Sequence, residues 1–368
     1  MRIGVDAREL QGRPTGVGRY LRGLLRAWPG DADDSLLLYF NGPAPPDAAP
    51  KDGRIALRPL GGHAVRGLWW QEGRLPRAAR RDRLDVFFAP AYACPLRLDV
   101  PRVTTVHDLS FVSLPDDFAP LDGARRRALV GLSLDASRRI VAVSEFTRRE
   151  IQAWRPDTEG RVEVISHGAE DDLPPAPSRA EARERLGISG PLVISVGSIL
   201  KRRRLPALLQ AIALVRRSHP TAVLDVVGEN RAHPPLDLDA VVWRLEIAGN
   251  VRLSGFQSDE ALALRYAAAD VAVYLSEYEG FGLPVLEAMA RGIAVVTSLR
   301  PATGELFGEA ALTVDPGDPV AITGAIGRLL DDAGLRGRLV ERGKALVARH
   351  TWARAAARTR DVLAAASR

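Results

Sequence analysis

The sequence predicts an α/β protein made of two Rossmann-like domains, each a doubly wound sheet of parallel strands flanked by helices. Three observations predict it. The chain has 368 residues, too many for one domain of ordinary size and enough for two. Short apolar runs of strand length alternate with helix-period segments along its length. The three-proline stretch DDLPPAPSR, over 171–179, separates two such series and reads as a linker.

The first series has strands over 3–7, 35–40, 86–88, 103–107, 140–143 and 162–165. The second has strands over 192–196, 222–227, 251–254, 270–276 and 294–297, and ends in helices. Most are continuous apolar runs, the pattern of strands covered on both faces. The expected division is an N-terminal domain over 1–172 and a second over 173–350. A C-terminal helix over 351–368 is expected to pack back towards the first domain. In doubly wound sheets ligands bind beyond the carboxyl ends of the strands, so the cleft between two facing domains is where a substrate is expected.

Composition narrows the class. A hydrophobic fraction of 46% and a charged fraction of 26% belong to a globular chain, and no apolar run is long enough for a membrane span. The single cysteine, Cys94, forms no internal disulfide, which together with a start in MRIGVD fits a cytoplasmic protein. A net charge of +6 admits a phosphate-rich substrate or an anionic membrane surface. Its arginines are dispersed and interleaved with few aromatics, which argues against nucleic acid. The densest basic segment, RGLWWQEGRLPRAARRDR over 66–83, is either an interfacial patch at the inner face of a membrane or a helix that buries its tryptophans.

Several strand ends carry chemistry-bearing residues. The first strand leads to Gly12, Gly16 and Gly18 before a helix expected near Arg19. Glycines allow close backbone approach to a ligand, and a helix start supplies donors. The third fingerprint glycine is missing and the second strand ends at Asn41 rather than an acid, so no nicotinamide cofactor is expected. His107 and Asp108 follow the strand over 103–107. Gly197 follows the strand over 192–196 and meets Lys201, Arg202, Arg203 and Arg204, a cationic run whose arginine guanidinium groups are suited to fork onto a diphosphate. The stretch EYEGFGLPVLEAMARG over 277–292 sets Glu279 in a glycine loop and Glu287 on the following helix, which begins at Leu283 with Pro284 in its first turn. Such a loop and helix start suit an anion flanked by hydroxyls. Asp237-Leu238-Asp239 lacks a preceding strand, and no His/Cys cluster has ligand spacing, so no metal site is expected.

Read together, the paired glutamates, GVGRYLRGLL, TTVHDLSF, VAVSEFTRREI, VISHGAEDD, VGSILKRRR and DPGDPVAITGAIGRLL resemble glycosyltransferase family 4, retaining enzymes of the GT-B fold. The resemblance spans nearly the whole chain. It implies an N-terminal acceptor domain and a C-terminal nucleotide-sugar domain. It further implies that Glu287 holds the ribose, Glu279 the donor sugar's hydroxyls, and Phe281, Gly282 and Leu283 the sugar and phosphate. Arg202, Arg203 and Gly197 would lie at the diphosphate, Gly16 and Gly18 would close over the phosphates, and His107 would stand beside the reacting carbon. Two departures are visible. Arg203 stands where family members commonly carry lysine, and Ala169-Glu170 replaces the usual Asp or Asn after the late N-domain glycine. Within the family, HDLSF, WWQEGRLP and FFAPAYACPL look most like surface-polysaccharide mannosyltransferases, which implies a GDP-mannose donor, no cofactor, and a glycan or lipid-linked acceptor. The alternatives are a soluble transferase using a UDP- or ADP-sugar and, more distantly, a basic nucleic-acid-binding protein.

Overall fold

The computed structural model describes residues 1–13, 15–30, 33–48, 53–61, 67–169 and 174–368. Linker residues 171–173, Glu170 of the altered family step, and Arg66 lie outside the described residues. The chain divides into two compact units. One comprises Met1–Pro115, Pro120–Gly168 and His350–Arg368; the other comprises Asp116–Ala119 and Ala169–Arg349.

The first unit is built on strands β1 (Arg2–Asp6), β2 (Ser35–Phe40), β3 (Ile55–Pro59), β4 (Val86–Ala89), β5 (Arg102–Val106), β6 (Arg139–Ala142) and β7 (Val162–Val164). They form one sheet in the order β3-β2-β1-β4-β5-β6-β7, paired parallel throughout. The second unit holds β8 (Leu192–Val196), β9 (Val223–Val227), β10 (Val251–Gly255), β11 (Val271–Tyr274), β12 (Ala294–Ser298) and β13 (Leu312–Val314). Their order is β10-β9-β8-β11-β12-β13, again all parallel. In each sheet the order reverses beside the first strand, which opens the crevice where ligands of such sheets sit.

β3 and β13 are additions to the sequence expectation, and both are edge strands. β3 (IALRP) is half-exposed and ends in proline, while β13 has three residues, so neither carries the apolar run that marks an interior strand. The first helix starts earlier than expected. Thr15 caps it by accepting a 2.9 Å hydrogen bond from Gly18 N, so Gly16 and Gly18 belong to its first turn, and the helix is Gly16–Arg26.

The core of the second unit joins Leu208 and Ile212 of the Leu205–Val215 helix to Leu224, Val273 and Val296 of the sheet and Ile326 of the Pro319–Asp331 helix. In the first unit, the terminal helix Trp352–Ser367 packs on β4, β5, β6 and the Gly16–Arg26 helix. Trp352 is buried in a hollow that exists because residue 23 is glycine; a Cβ there would enter the indole. Buried Asp34 fastens the same region, accepting from Trp28 Nε1 (3.3 Å) and Arg360 Nε (2.7 Å) and pairing with the Met1 amino group.

Candidate active site

In the second unit the loops after β8, β11 and β12 converge at the carboxyl edge of adjacent strands. After β8, Lys201–Arg203 form one 3-10 turn, and Arg204 adopts a left-handed backbone (φ 48°) before the Leu205–Val215 helix. For a residue with a Cβ this conformation costs about 1 to 2 kcal/mol, so the surroundings must hold it. After β11, the chain runs through Ser276 to Gly282, whose φ of 105° favours glycine, into the Leu283–Ala290 helix with Pro284 in its first turn. A Cβ at Gly282 would also press on the Phe307 ring.

The structure brings Glu279 together with the arginine turn. The Glu279 carboxylate is 9% exposed and accepts from Ser276 Oγ at 2.7 Å. Arg203 Nη2 lies 3.3 Å from its Oε1 and Arg202 Nε 3.8 Å. The Arg203 guanidinium, 14% exposed, lies 4.1 Å above the Tyr274 ring, a contact worth about 2 kcal/mol when desolvated. Burial pushes the Tyr274 hydroxyl up, against the lowering pull of Arg203, so the ring stays a neutral platform. Arg203 Nε and Nη1 are buried with no hydrogen-bond partner among the described residues. Buried donors of this kind call for an acceptor, and an anion at the loop ends would supply it.

Glu287 accepts from the Tyr266 hydroxyl at 3.3 Å, half-buried on its helix. Phe281 is buried edge-on to Phe307 at 6.0 Å, Leu283 is half-buried, and Gly197 N donates to Val227 O at 2.9 Å.

Sequence reasoning passed over a third carboxylate in the same stretch. Glu277 accepts from Arg204 Nε at 2.8 Å and from Arg300 Nε at 2.8 Å, and its backbone N–H donates to the Arg202 carbonyl at 2.8 Å. The signal was present as three acids rather than two in EYEGFGLPVLE, but the partner at 300 is distant in sequence.

In the first unit His107 stands just past the end of β5. Its Nε2 donates to the Pro90 carbonyl at 2.7 Å, which fixes the tautomer and leaves Nδ1 as the basic nitrogen. Tyr20, Tyr92 and His167 surround the ring at centroid distances of 4.9, 5.6 and 5.4 Å, and His167 stacks on Trp352. Burial lowers the His107 pKa to about 4, so the imidazole is neutral at pH 7. Tyr92 holds a positive φ of 58°, a strained backbone next to the histidine. His167, which the sequence shows only within VISHGAEDD, lies just past β7 and is thus a neighbour of His107.

The remaining candidates divide. Gly18 has a packing reason, since a Cβ there would meet the Glu9 carbonyl, while a Cβ at Gly16 would meet open space. Asp237 is a helix cap, accepting from Ala240 N at 2.9 Å. Among the described residues no three His, Cys, Asp or Glu side chains gather as a metal requires. The basic segment splits its tryptophans: Trp70 is buried and donates to the Phe40 carbonyl, while Trp69 is 66% exposed. Trp69 borders an open groove of about 460 Å³ with Leu68, Gly73, Arg77, Arg80 and Arg97. Arg80 pairs with Asp99 there.

Comparison with known proteins bears on the family and the fold. Residues 14–173 match the family model described as Glycosyltransferase Family 4, and residues 178–346 match that described as Glycosyl transferases group 1. An O-antigen chain mannosyltransferase B of Escherichia coli is 33% identical over 291 residues, covering 74% of this chain and 73% of its own. Sucrose-phosphate synthase from Thermosynechococcus elongatus superposes with a TM-score of 0.81 at 20% identity, covering 99% of this chain and 100% of its own. Anabaena Alr3699/HepE, solved in complex with UDP-glucose, gives 0.76 at 18%, covering 99% of each. Two parallel Rossmann-like sheets, both family models and a relative matched over most of its length lead to one assignment: the chain belongs to glycosyltransferase family 4 and has the GT-B fold.

Proposed function

We propose that the protein transfers a hexosyl group from a nucleoside diphosphate sugar to a hydroxyl of a glycan or lipid-linked acceptor, with retention at the anomeric carbon and without a metal. The observation that carries this reading is Arg203, whose buried Nε and Nη1 lack partners while Nη2 reaches Glu279. Arg202 and Arg203 neutralise the diphosphate as the bond from the anomeric carbon to phosphate oxygen breaks, and the phosphate leaves with the electron pair. The acceptor oxygen bonds to the same face of that carbon, and its proton passes to the leaving phosphate oxygen. Glu279 holds the transferred sugar and Glu287 the ribose. Gly197, Phe281, Gly282 and Leu283 line the phosphates and sugar, Gly16 and Gly18 approach the phosphates, and His107 serves the reacting carbon as a neutral imidazole.

The mannosyltransferase name of the E. coli relative supports GDP-mannose as first donor and surface-polysaccharide assembly as the setting. The rival donor is a UDP- or ADP-sugar. Exposed Leu68 and Trp69 beside Arg77 support docking of this face on the anionic inner surface of a membrane; among the described residues no helix is long and apolar enough to cross one. A thermal-shift screen of GDP-, UDP- and ADP-sugars tests the donor, because a ligand of the folded state raises Tm. Stabilisation by GDP-mannose above the others supports the reading. Stabilisation by none of them removes it.

A further inference from the structure

We propose that Glu277 is a positioning residue that holds the Arg202–Arg203 turn in the conformation that grips the donor diphosphate. The inference rests on the donor reading above and adds a residue to it. Glu277 follows β11, and in the sheet order β8-β11-β12-β13 it stands between the loop after β8 and the loop after β12. It holds both. Its carboxylate takes Arg204 on one side (2.8 Å) and Arg300 on the other (2.7 Å), and Arg300 also reaches Asp315 beyond β13 at 3.4 Å. Its backbone N–H takes the carbonyl of Arg202 itself. A row of alternating charge, Arg204–Glu277–Arg300–Asp315, therefore crosses the carboxyl edge of four neighbouring strands.

Beside that row lies the buried group of Arg203, Glu279 and Tyr274. Arg203 is joined to Arg204 by one peptide unit, and Arg204 is the residue in the left-handed conformation. Without the grip of Glu277, residue 204 loses its only described carboxylate partner and the turn relaxes towards conformations more comfortable for a residue with a Cβ. That relaxation re-aims the guanidinium groups preceding it. Glu277 itself has no need to touch the substrate.

The through-space effect of the Glu277 charge has the opposite sign, and this makes the inference testable. Glu277 is an anion near an anion site, so its neutralisation would strengthen diphosphate binding if charge alone mattered. Positioning predicts weaker binding. The quantity to measure is the gain in affinity from GMP to GDP by calorimetry, with UMP and UDP as a second pair. Wild type, Glu277→Gln, Arg203→Met and the double variant are compared, each checked for folding by its melting curve. Glu277→Gln should cut the gain about fivefold or more, Arg203→Met should cut it at least as far, and the double variant should lose less than the product of the two single losses, because both changes act in part through the Arg203 guanidinium. A gain in Glu277→Gln within about twofold of wild type, or larger than it, overturns the positioning role, as do losses that multiply in the double variant. Should Glu277→Gln fail to fold, Glu277→Asp, which keeps the charge and shortens the reach to Arg204 and Arg300, is read by the same criteria. If wild type shows no gain from the second phosphate, or Arg203→Met leaves it intact, the donor reading fails and this inference with it. If Arg203→Met abolishes the gain and Glu277→Gln does not, the positioning inference fails alone.

Discussion

Replacing Arg203 by methionine removes the charge while keeping an unbranched chain over Tyr274. A charge-assisted hydrogen bond contributes about 1.5 to 3 kcal/mol, so losing one to the departing diphosphate should lower kcat/KM roughly 10- to 150-fold. The change should fall on kcat more than KM, because charge grows on the leaving group as the bond breaks. Stability should suffer as well. Glu279 and Arg203 are both at least 86% buried by side-chain exposures of 9% and 14%, and removing one partner of a buried pair costs about 3 kcal/mol or more. Here Ser276 and Arg202, at 2.7 and 3.8 Å from the same carboxylate oxygen, retain part of the compensation. The drop in Tm should therefore be several degrees. Arg203→Lys returns a charge to Glu279 but neither the planar fork nor the guanidinium stacking on Tyr274, and should recover only part of the rate. Steady-state kinetics well below the variants' Tm separate the two effects. A folded Arg203→Met enzyme within about threefold of wild-type kcat/KM would show that the arginine does not meet the diphosphate.

Four further outcomes are expected. Glu287→Ala should weaken binding of the bare nucleoside diphosphate, whereas Glu279→Ala should spare it and depress sugar turnover; calorimetry showing the larger loss for Glu279→Ala would reverse the two roles. Transfer should persist in excess EDTA, and activity that magnesium or manganese restores would refute a metal-free mechanism. With the His107 pKa lowered from 6.5 to about 4 by burial, the unfolded chain takes up a proton the folded chain refuses. Stability from this group is then intact above pH 6.5 and is lost as pH falls towards 4, by about 3 kcal/mol. Urea midpoints at pH 7 and 4.5 should converge in His107→Gln relative to wild type, and equal slopes in both would contradict it. Finally, replacing Arg77, Arg80 and Arg81 with glutamine should reduce sedimentation with anionic liposomes at low salt, and unchanged sedimentation would mark this face as a solvated helix.

The interior strands were legible because burial on both faces demands continuous apolar runs such as LVISV and VAVY. The edge strands β3 and β13 were not, since a strand with one neighbour tolerates polar residues and proline. The first helix starts at Gly16 rather than near Arg19, because the Thr15 hydroxyl accepts from Gly18 N and so caps a turn that its two glycines do not announce.

The site divides along the same line. Sequence alone determined which residues stand at strand ends, His107 after β5, Gly197 after β8 and Glu279 after β11, because strand length and glycine position are local properties of the chain. Tertiary structure decided who meets whom. It set Glu279 against Arg203, 76 positions earlier, it laid that guanidinium on Tyr274, and it clamped Arg204 and Arg300 on Glu277. It also surrounded His107 with Tyr20, His167 and Trp352-backed aromatic rings, whose burial makes the imidazole neutral. Within each unit strand order brings its loops together, and strand order is set by how crossover helices pack on a sheet rather than by anything written within a single loop.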